Sequence, residues 1–220
     1  MGDDTYAFYP VFKALPEAIE GEVTELAAEV EELFNDWSDR VTIRGTYSTV
    51  GFRPDSDVMM WWVGTSADDL QSLLVEFYGT GFGNGLDMTW SFMGVHRPPE
   101  IAKDHIPAFM SGYDPKKYLN VYPFVRTPEW YLLPEGERGE LLREHGIAGR
   151  EFPGVLANTT SGFGLGDWEW ILAFEADELT EIVDCIRKLR DTRARLYTKV
   201  EIPFVTGIRK ELVGVIGDVV

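Results

Sequence analysis

At 220 residues, 45% of them hydrophobic and 26% charged, the chain has the make-up of a globular protein able to bury a sizeable core. Its 37 acidic residues against 20 basic ones give a formal net charge of −17, which excludes the basic stripe that a nucleic-acid surface needs. One cysteine excludes an internal disulfide framework and a thiolate metal cluster, and no apolar run approaches the ~20 residues that cross a bilayer. The acidic start MGDDTYAFYP also lacks the basic and apolar regions of a signal peptide, so the reading is a cytoplasmic protein without membrane insertion.

Residues 5–14 read as extended. Pro16 then opens a helix whose apolar stripe is Ile19, Val23, Leu26, Val30, Leu33 and Phe34. Strands are predicted near 41–50 and 57–64. Ser66, three residues before Asp69, caps a helix carrying Leu70, Leu73, Leu74 and Phe77. A strand near 87–95 closes this half. The Pro-rich segment up to residue 116 is a linker. The second half begins with a strand over 118–126 that resumes toward 132, then a helix over Glu135–Glu144 and strands near 151–160 and 168–175. Asp177 caps a helix with Leu179, Ile182, Val183, Ile186 and Leu189, among which Cys185 reads as a buried structural thiol. A last strand is predicted over 196–205.

The halves share an order and some letters. Asp57-Val58-Met59-Met60-Trp61-Trp62 leads into Ala67-Asp68-Asp69-Leu70, and Asp167-Trp168-Glu169-Trp170 leads into Ala176-Asp177-Glu178-Leu179. Two copies of a βαββαβ unit, the ferredoxin-like arrangement, account for the echo. Each sheet has a second face rich in Trp, Met and Phe. Burying those faces against one another makes the fold class α+β, a dimeric α+β barrel within one chain. The division is an N-terminal unit over 1–100, a linker over 101–116 and a C-terminal unit over 117–220.

No dinucleotide, P-loop, nucleophile-elbow or H-E-x-x-H pattern occurs, and the glycines of Gly162–Gly166 read as a hairpin turn. The three histidines are His96, His105 and His145. His145 shares an apolar face with Leu141 and Leu142, compatible with a structural residue or a ligand, and Gly146 reads as a helix stop. His105 sits in the linker beside Asp104, and His96 reads as structural or surface. In the strand VYPFVR, Tyr122, Phe124 and Arg126 face one way. Tyr122 and Arg126 then lie about 13 Å apart, a span that suits a large flat anion or simply a lined mouth. Pro123 places a bulge or an edge there.

These residues carry a resemblance. Tyr122-Pro123-Phe124-Val125-Arg126 followed by Glu129-Trp130-Tyr131, then Glu144-His145-Gly146 and Arg190-Asp191-Thr192-Arg193-Ala194-Arg195, resembles the chlorite dismutase-like haem proteins. Within them the chain is most similar to the coprohaem decarboxylases of the actinobacterial branch, over essentially its whole length. The resemblance implies that His145 is the proximal iron ligand, Tyr122 the radical-forming tyrosine and His105 the distal base toward hydrogen peroxide. It implies propionate contacts at Arg126 and Arg195, and a place near the pocket for Trp130. The implied substrate and cofactor is Fe-coproporphyrin III (coprohaem), whose two propionates become vinyl groups to give haem b. The implied assembly is a homopentamer, with transient contact to the ferrochelatase of the same pathway. The alternatives are a chlorite dismutase acting on haem b, which would use a distal arginine, and a non-catalytic haem-binding barrel. Position 194 is alanine, and no carboxylate is placed by the sequence to hydrogen-bond His145.

Overall fold

The structure, a computed structural model, describes residues 4–97 and 106–220. The chain divides into two compact units, one built from residues 1–96 with 205–220 and the other from 97–204.

In the first unit the order is β1 (Tyr6–Ala14), α1 (Val23–Asp36), β2 (Val41–Ser48), β3 (Val58–Gly64), α2 (Ala67–Phe77) and β4 (Leu86–Val95). β1 lies between β3 and β4, and β3 pairs with β2, every neighbour antiparallel. The strand order is therefore fourth, first, third, second. Period-two alternation sends Phe8, Phe12, Met60 and Trp62 toward α1 and α2, where Leu26, Val30, Leu70, Leu73 and Phe77 meet them. Tyr9, Met59 and Trp61 alternate with that set and are buried as well, so the sheet is covered on both faces. Ser66 caps α2 as its spacing demands, accepting from the Asp69 backbone N–H at 3.2 Å. Pro16 opens only a short 3-10 turn over Pro16–Ala18, and α1 starts afresh at Val23.

The tail differs from its sequence reading. Residues 205–220 belong with the first unit: β9 (Val205–Arg209) pairs with β2, and α6 (Leu212–Gly217) buries Leu212, Val215 and Ile216 in the same core. The single strand expected over 196–205 is instead a 3-10 turn (Arg193–Tyr197), the short strand β8 (Thr198–Val200) and then β9.

The second unit runs β5 (Tyr118–Arg126), α3 (Pro128–Leu132), α4 (Glu135–Gly149), β6 (Leu156–Ser161), β7 (Trp170–Ala176), α5 (Leu179–Leu189) and β8. β7 lies between β6 and β5, and β5 pairs with β8. This is again the order fourth, first, third, second, so the repeat read from the sequence is a repeat of topology. α5 lays Ile182 and Cys185 on Phe174 and Ala176 of β7. The Gly162–Gly166 turn is a hairpin, with Gly164 at φ +76° and the Gly162 N–H donating to the Glu169 carbonyl at 2.8 Å.

Three local readings change. The segment after β5 is helical, because Pro128 at a first helical position presets its φ and the extended pattern of PEWYL is overridden. Gly146 does not stop α4, which continues to Gly149. Asp177 does not cap α5; its carboxylate holds the Lys116 ammonium at 2.6 Å, and the cap position is Glu178.

One glycine is fixed by close packing. A Cβ on Gly83 would collide with the Phe77 carbonyl, backbone at the end of α2 that Thr80 Oγ1 also holds at 2.7 Å. Gly83→Ala is expected to cost roughly 1–3 kcal/mol, read as a lower urea midpoint at unchanged slope. An unmoved midpoint would contradict this packing.

Candidate functional site

All the described candidate residues lie in the second unit; His105 lies outside the described residues. Tyr122 sits mid-strand in β5, opposite Leu172, and is only 4% exposed. Its ring packs on Phe204 at 4.5 Å between centroids and edge-on against Phe174 at 5.8 Å. Burial raises its phenol far above the ordinary value, and the negative charge of Glu201 adds to that. The phenol is therefore fully protonated at neutral pH. Pro123 is accommodated in register, opposite Ile171. The irregularity it suggested falls two residues later, between Val125 and Arg126 on the β8 side.

That register shift comes where β5 delivers Arg126. The Arg126 guanidinium lies 4.0 Å from the Trp130 ring centroid and 4.5 Å from that of Phe124, and donates to the Ala194 carbonyl at 3.0 Å. Burial pulls its pKa down to about 10. A desolvated guanidinium held by a neutral carbonyl and two ring faces is a strong attractor for a carboxylate. Trp130, buried in α3, also packs on Tyr197 at 5.6 Å, so it acts as the floor beneath Arg126. Glu169 secures the strand end, accepting from the Arg126 backbone N–H at 2.7 Å and from Tyr131 Oη at 2.6 Å.

His145 projects from α4 on the face of Leu141 and Leu142, which pack with Trp130 and Ala194. Its Nδ1 lies 3.2 Å from Thr192 Oγ1. Burial, with the positive charge of Arg126 nearby, pushes the imidazole down to about 4, so it is neutral at physiological pH. One residue earlier, Glu144 clamps Arg193 twice, accepting from its backbone N–H at 2.8 Å and from Nε at 2.6 Å.

Arg195 is not free. Its Nη1 donates to Glu201 at 2.6 Å, and Arg190 reaches the same carboxylate oxygen at 2.9 Å. A cavity of about 300 Å³ opens here, lined by Arg190, Arg195, Lys199, Glu201 and Phe204 among others. Three cations against one carboxylate suit an anionic arm, and Phe204 joins this wall to Tyr122. Glu201 and Phe204 carry no functional signal in the sequence, and Thr192 and Arg193 stand out there only as part of the run Arg190–Arg195. All four come from one segment, Arg190–Phe204, that touches every described candidate.

Among the described residues no group of three His, Cys, Asp or Glu side chains could hold a bare metal ion. A lone neutral imidazole beside a desolvated arginine instead fits a metal that arrives already ligated and carrying carboxylates. A sequence model of the family described as Chlorite dismutase matches residues 23–210. The chain belongs to the chlorite dismutase family. Among curated relatives in the family, it is 45% identical over 206 residues to the coproheme decarboxylase of Mycolicibacterium smegmatis, covering 93% of this chain and 89% of that one. It is 24% identical to the coproheme decarboxylase of Oceanobacillus iheyensis, covering 74% and 72%. A solved mutant chlorite dismutase from Candidatus Nitrospira defluvii superposes with a TM-score of 0.87 at 21% identity, covering 99% of this chain and 96% of that one. The fold is thus that of the family along the whole chain.

The partial burial of His145 has a consequence in acid. Unfolded, the ring takes up a proton near pH 6.5; folded, near 4. Between those values the unfolded state binds more protons, so stability falls as pH drops from 6.5 toward 4. His145→Gln is expected to shrink the loss of urea midpoint between pH 7 and pH 5. An equal loss in both proteins would contradict a neutral ring whose protonation the fold disfavours.

Proposed function

We propose that this protein is a coprohaem decarboxylase that converts Fe-coproporphyrin III to haem b with hydrogen peroxide. The observation that carries the reading is the conjunction, in one unit, of a neutral, half-buried imidazole, a partly desolvated arginine and a buried protonated tyrosine. The 45% identity to a coproheme decarboxylase over nearly the whole chain supports it. The chlorite dismutases of similar fold are far more distant in sequence.

In this reading His145 would hold the iron through its imidazole, and Arg126 with Arg195 would receive propionate carboxylates. Bound iron-coproporphyrin supplies the redox chemistry with peroxide, being substrate and cofactor at once. Each propionate loses one β-hydrogen, its carboxyl group as carbon dioxide and two electrons; one hydrogen peroxide accepts those electrons and leaves as two waters. Tyr122 relays the oxidation. Its phenoxyl radical takes the hydrogen atom from the propionate β-carbon, and the buried, proton-retaining phenol is what that atom restores. Exclusion of water by Phe174 and Phe204 protects the radical from side reactions. In the same reading His105, which lies outside the described residues, would serve as the base that takes the peroxide proton.

The same reading carries a cytoplasmic location, a homopentameric assembly and transient contact with a ferrochelatase that delivers the iron porphyrin. No helix among the described residues is long and apolar enough to cross a membrane.

Tyr122→Phe keeps the ring packing and removes only the hydroxyl. Coprohaem affinity is expected to stay within about threefold of wild type, while carbon dioxide release on peroxide addition falls at least a hundredfold. Carbon dioxide release at the wild-type rate would refute the role of Tyr122. In a parallel titration, Arg126→Leu is expected to weaken coprohaem binding by at least tenfold, consistent with about 1.5–3 kcal/mol for a charge-assisted hydrogen bond. Unchanged affinity would remove Arg126 from the carboxylate contacts.

A further inference from the structure

We infer that Thr192 is the positioning residue of His145: a hydroxyl relay to the Leu189 carbonyl fixes the imidazole as the Nδ1–H tautomer and turns Nε2 toward the iron. The inference rests on the reading of His145 as an iron ligand. It begins from a count of protons. A threonine hydroxyl has one proton to give and can also accept. Thr192 Oγ1 lies 2.8 Å from the Leu189 carbonyl oxygen, a group that only accepts, so that proton is committed there. Toward His145 Nδ1, 3.2 Å away, Oγ1 can then only accept. Nδ1 therefore carries the hydrogen, and the single lone pair of the neutral ring is on Nε2.

The end of the relay is fixed by secondary structure. Leu189 is the last residue of α5, whose C-terminal carbonyls have no partner further along the helix and carry the negative end of its dipole. A chain N–H to O–H to O=C running into that end polarises each bond in the same sense. The relay is also held from the side. Thr192 is 7% exposed, and its neighbour Arg193 is clamped by Glu144, the residue before His145. One rigid junction thus sets both the ring and its acceptor.

Glu144 is the carboxylate next in sequence to the ring, and its two oxygens are taken by Arg193. The acceptor that His145 meets is accordingly a neutral hydroxyl. A carboxylate there would pull the Nδ1 proton and push the ring toward imidazolate; a hydroxyl ending on a carbonyl does so only weakly. Alanine at 194, which the sequence left without an explanation, is consistent with this: the acceptor is two residues earlier and uncharged.

Two readouts test the relay. In the protein without porphyrin, nitrogen-15 NMR of labelled histidine at pH 7 is expected to show His145 protonated at Nδ1. Thr192→Val, which keeps shape and removes the hydroxyl, should mix the tautomers, and Thr192→Ser should restore the wild-type spectrum. In the ferrous protein loaded with iron-coproporphyrin III, resonance Raman should show an iron–histidine stretch. That band is expected several wavenumbers lower in Thr192→Val and back at the wild-type position in Thr192→Ser. An Nε2–H tautomer in the wild type, or an unmoved tautomer and band in Thr192→Val, would overturn the inference. A wild-type band that survives His145→Ala would instead refute the ligand reading, while the NMR still decides the relay.

Discussion

The site hangs on the junction between α4 and the segment that leaves α5. Glu144 grips Arg193 through backbone and side chain, and His145 meets Thr192 one residue away on each side. These contacts join residues 47 to 49 positions apart. With that junction in place, the rest of the segment falls into line: the Ala194 carbonyl receives Arg126, Arg195 reaches Glu201, and Phe204 closes on Tyr122. Exposed ion pairs are ordinarily worth little. The Glu144–Arg193 pair matters for where it stands, since it fixes the entry of the chain into a turn whose neighbouring residues all serve the site.

Electrostatically the interior of the site opposes the surface of the chain. A molecule with a formal net charge of −17 gathers Arg126, Arg190, Arg195 and Lys199 in its second unit, three of them around one cavity. Among the residues lining that cavity, Glu201 is the single carboxylate, and it orders two of the arginines by sharing one oxygen between them. On the proposed function, an acidic exterior repels a polyanionic porphyrin and this local inversion of sign is what would receive it. Partial desolvation of Arg126 sharpens the effect, because a cation with less water around it gains more from a carboxylate than a fully hydrated one does.

Most of the architecture was legible in the sequence because it is periodic. The two βαββαβ orders, the Ser66 cap and the Gly162–Gly166 hairpin follow from patterns that local physics reads directly. The misreadings have local causes too. PEWYL carries an extended-looking aromatic pattern, but Pro128 at the start of a turn favours helix. Gly146 resembles a stop, yet α4 packs on beyond it. Residues 205–220 read in sequence as part of the second unit, yet β9 and α6 complete the first core through contacts far away in sequence. For the same reason Thr192, Glu201 and Phe204 went unseen: a threonine after a helix carries no signal of a histidine 47 residues before it.

A coprohaem decarboxylase must remove two carboxyl groups from one iron porphyrin. The direct measurement is mass spectrometry of the porphyrin extracted after stepwise addition of peroxide to the coprohaem-loaded wild-type protein. The expected products are a three-propionate intermediate and then haem b, in step with peroxide consumed. Unchanged coproporphyrin, or porphyrin degraded without a vinyl product, would contradict it.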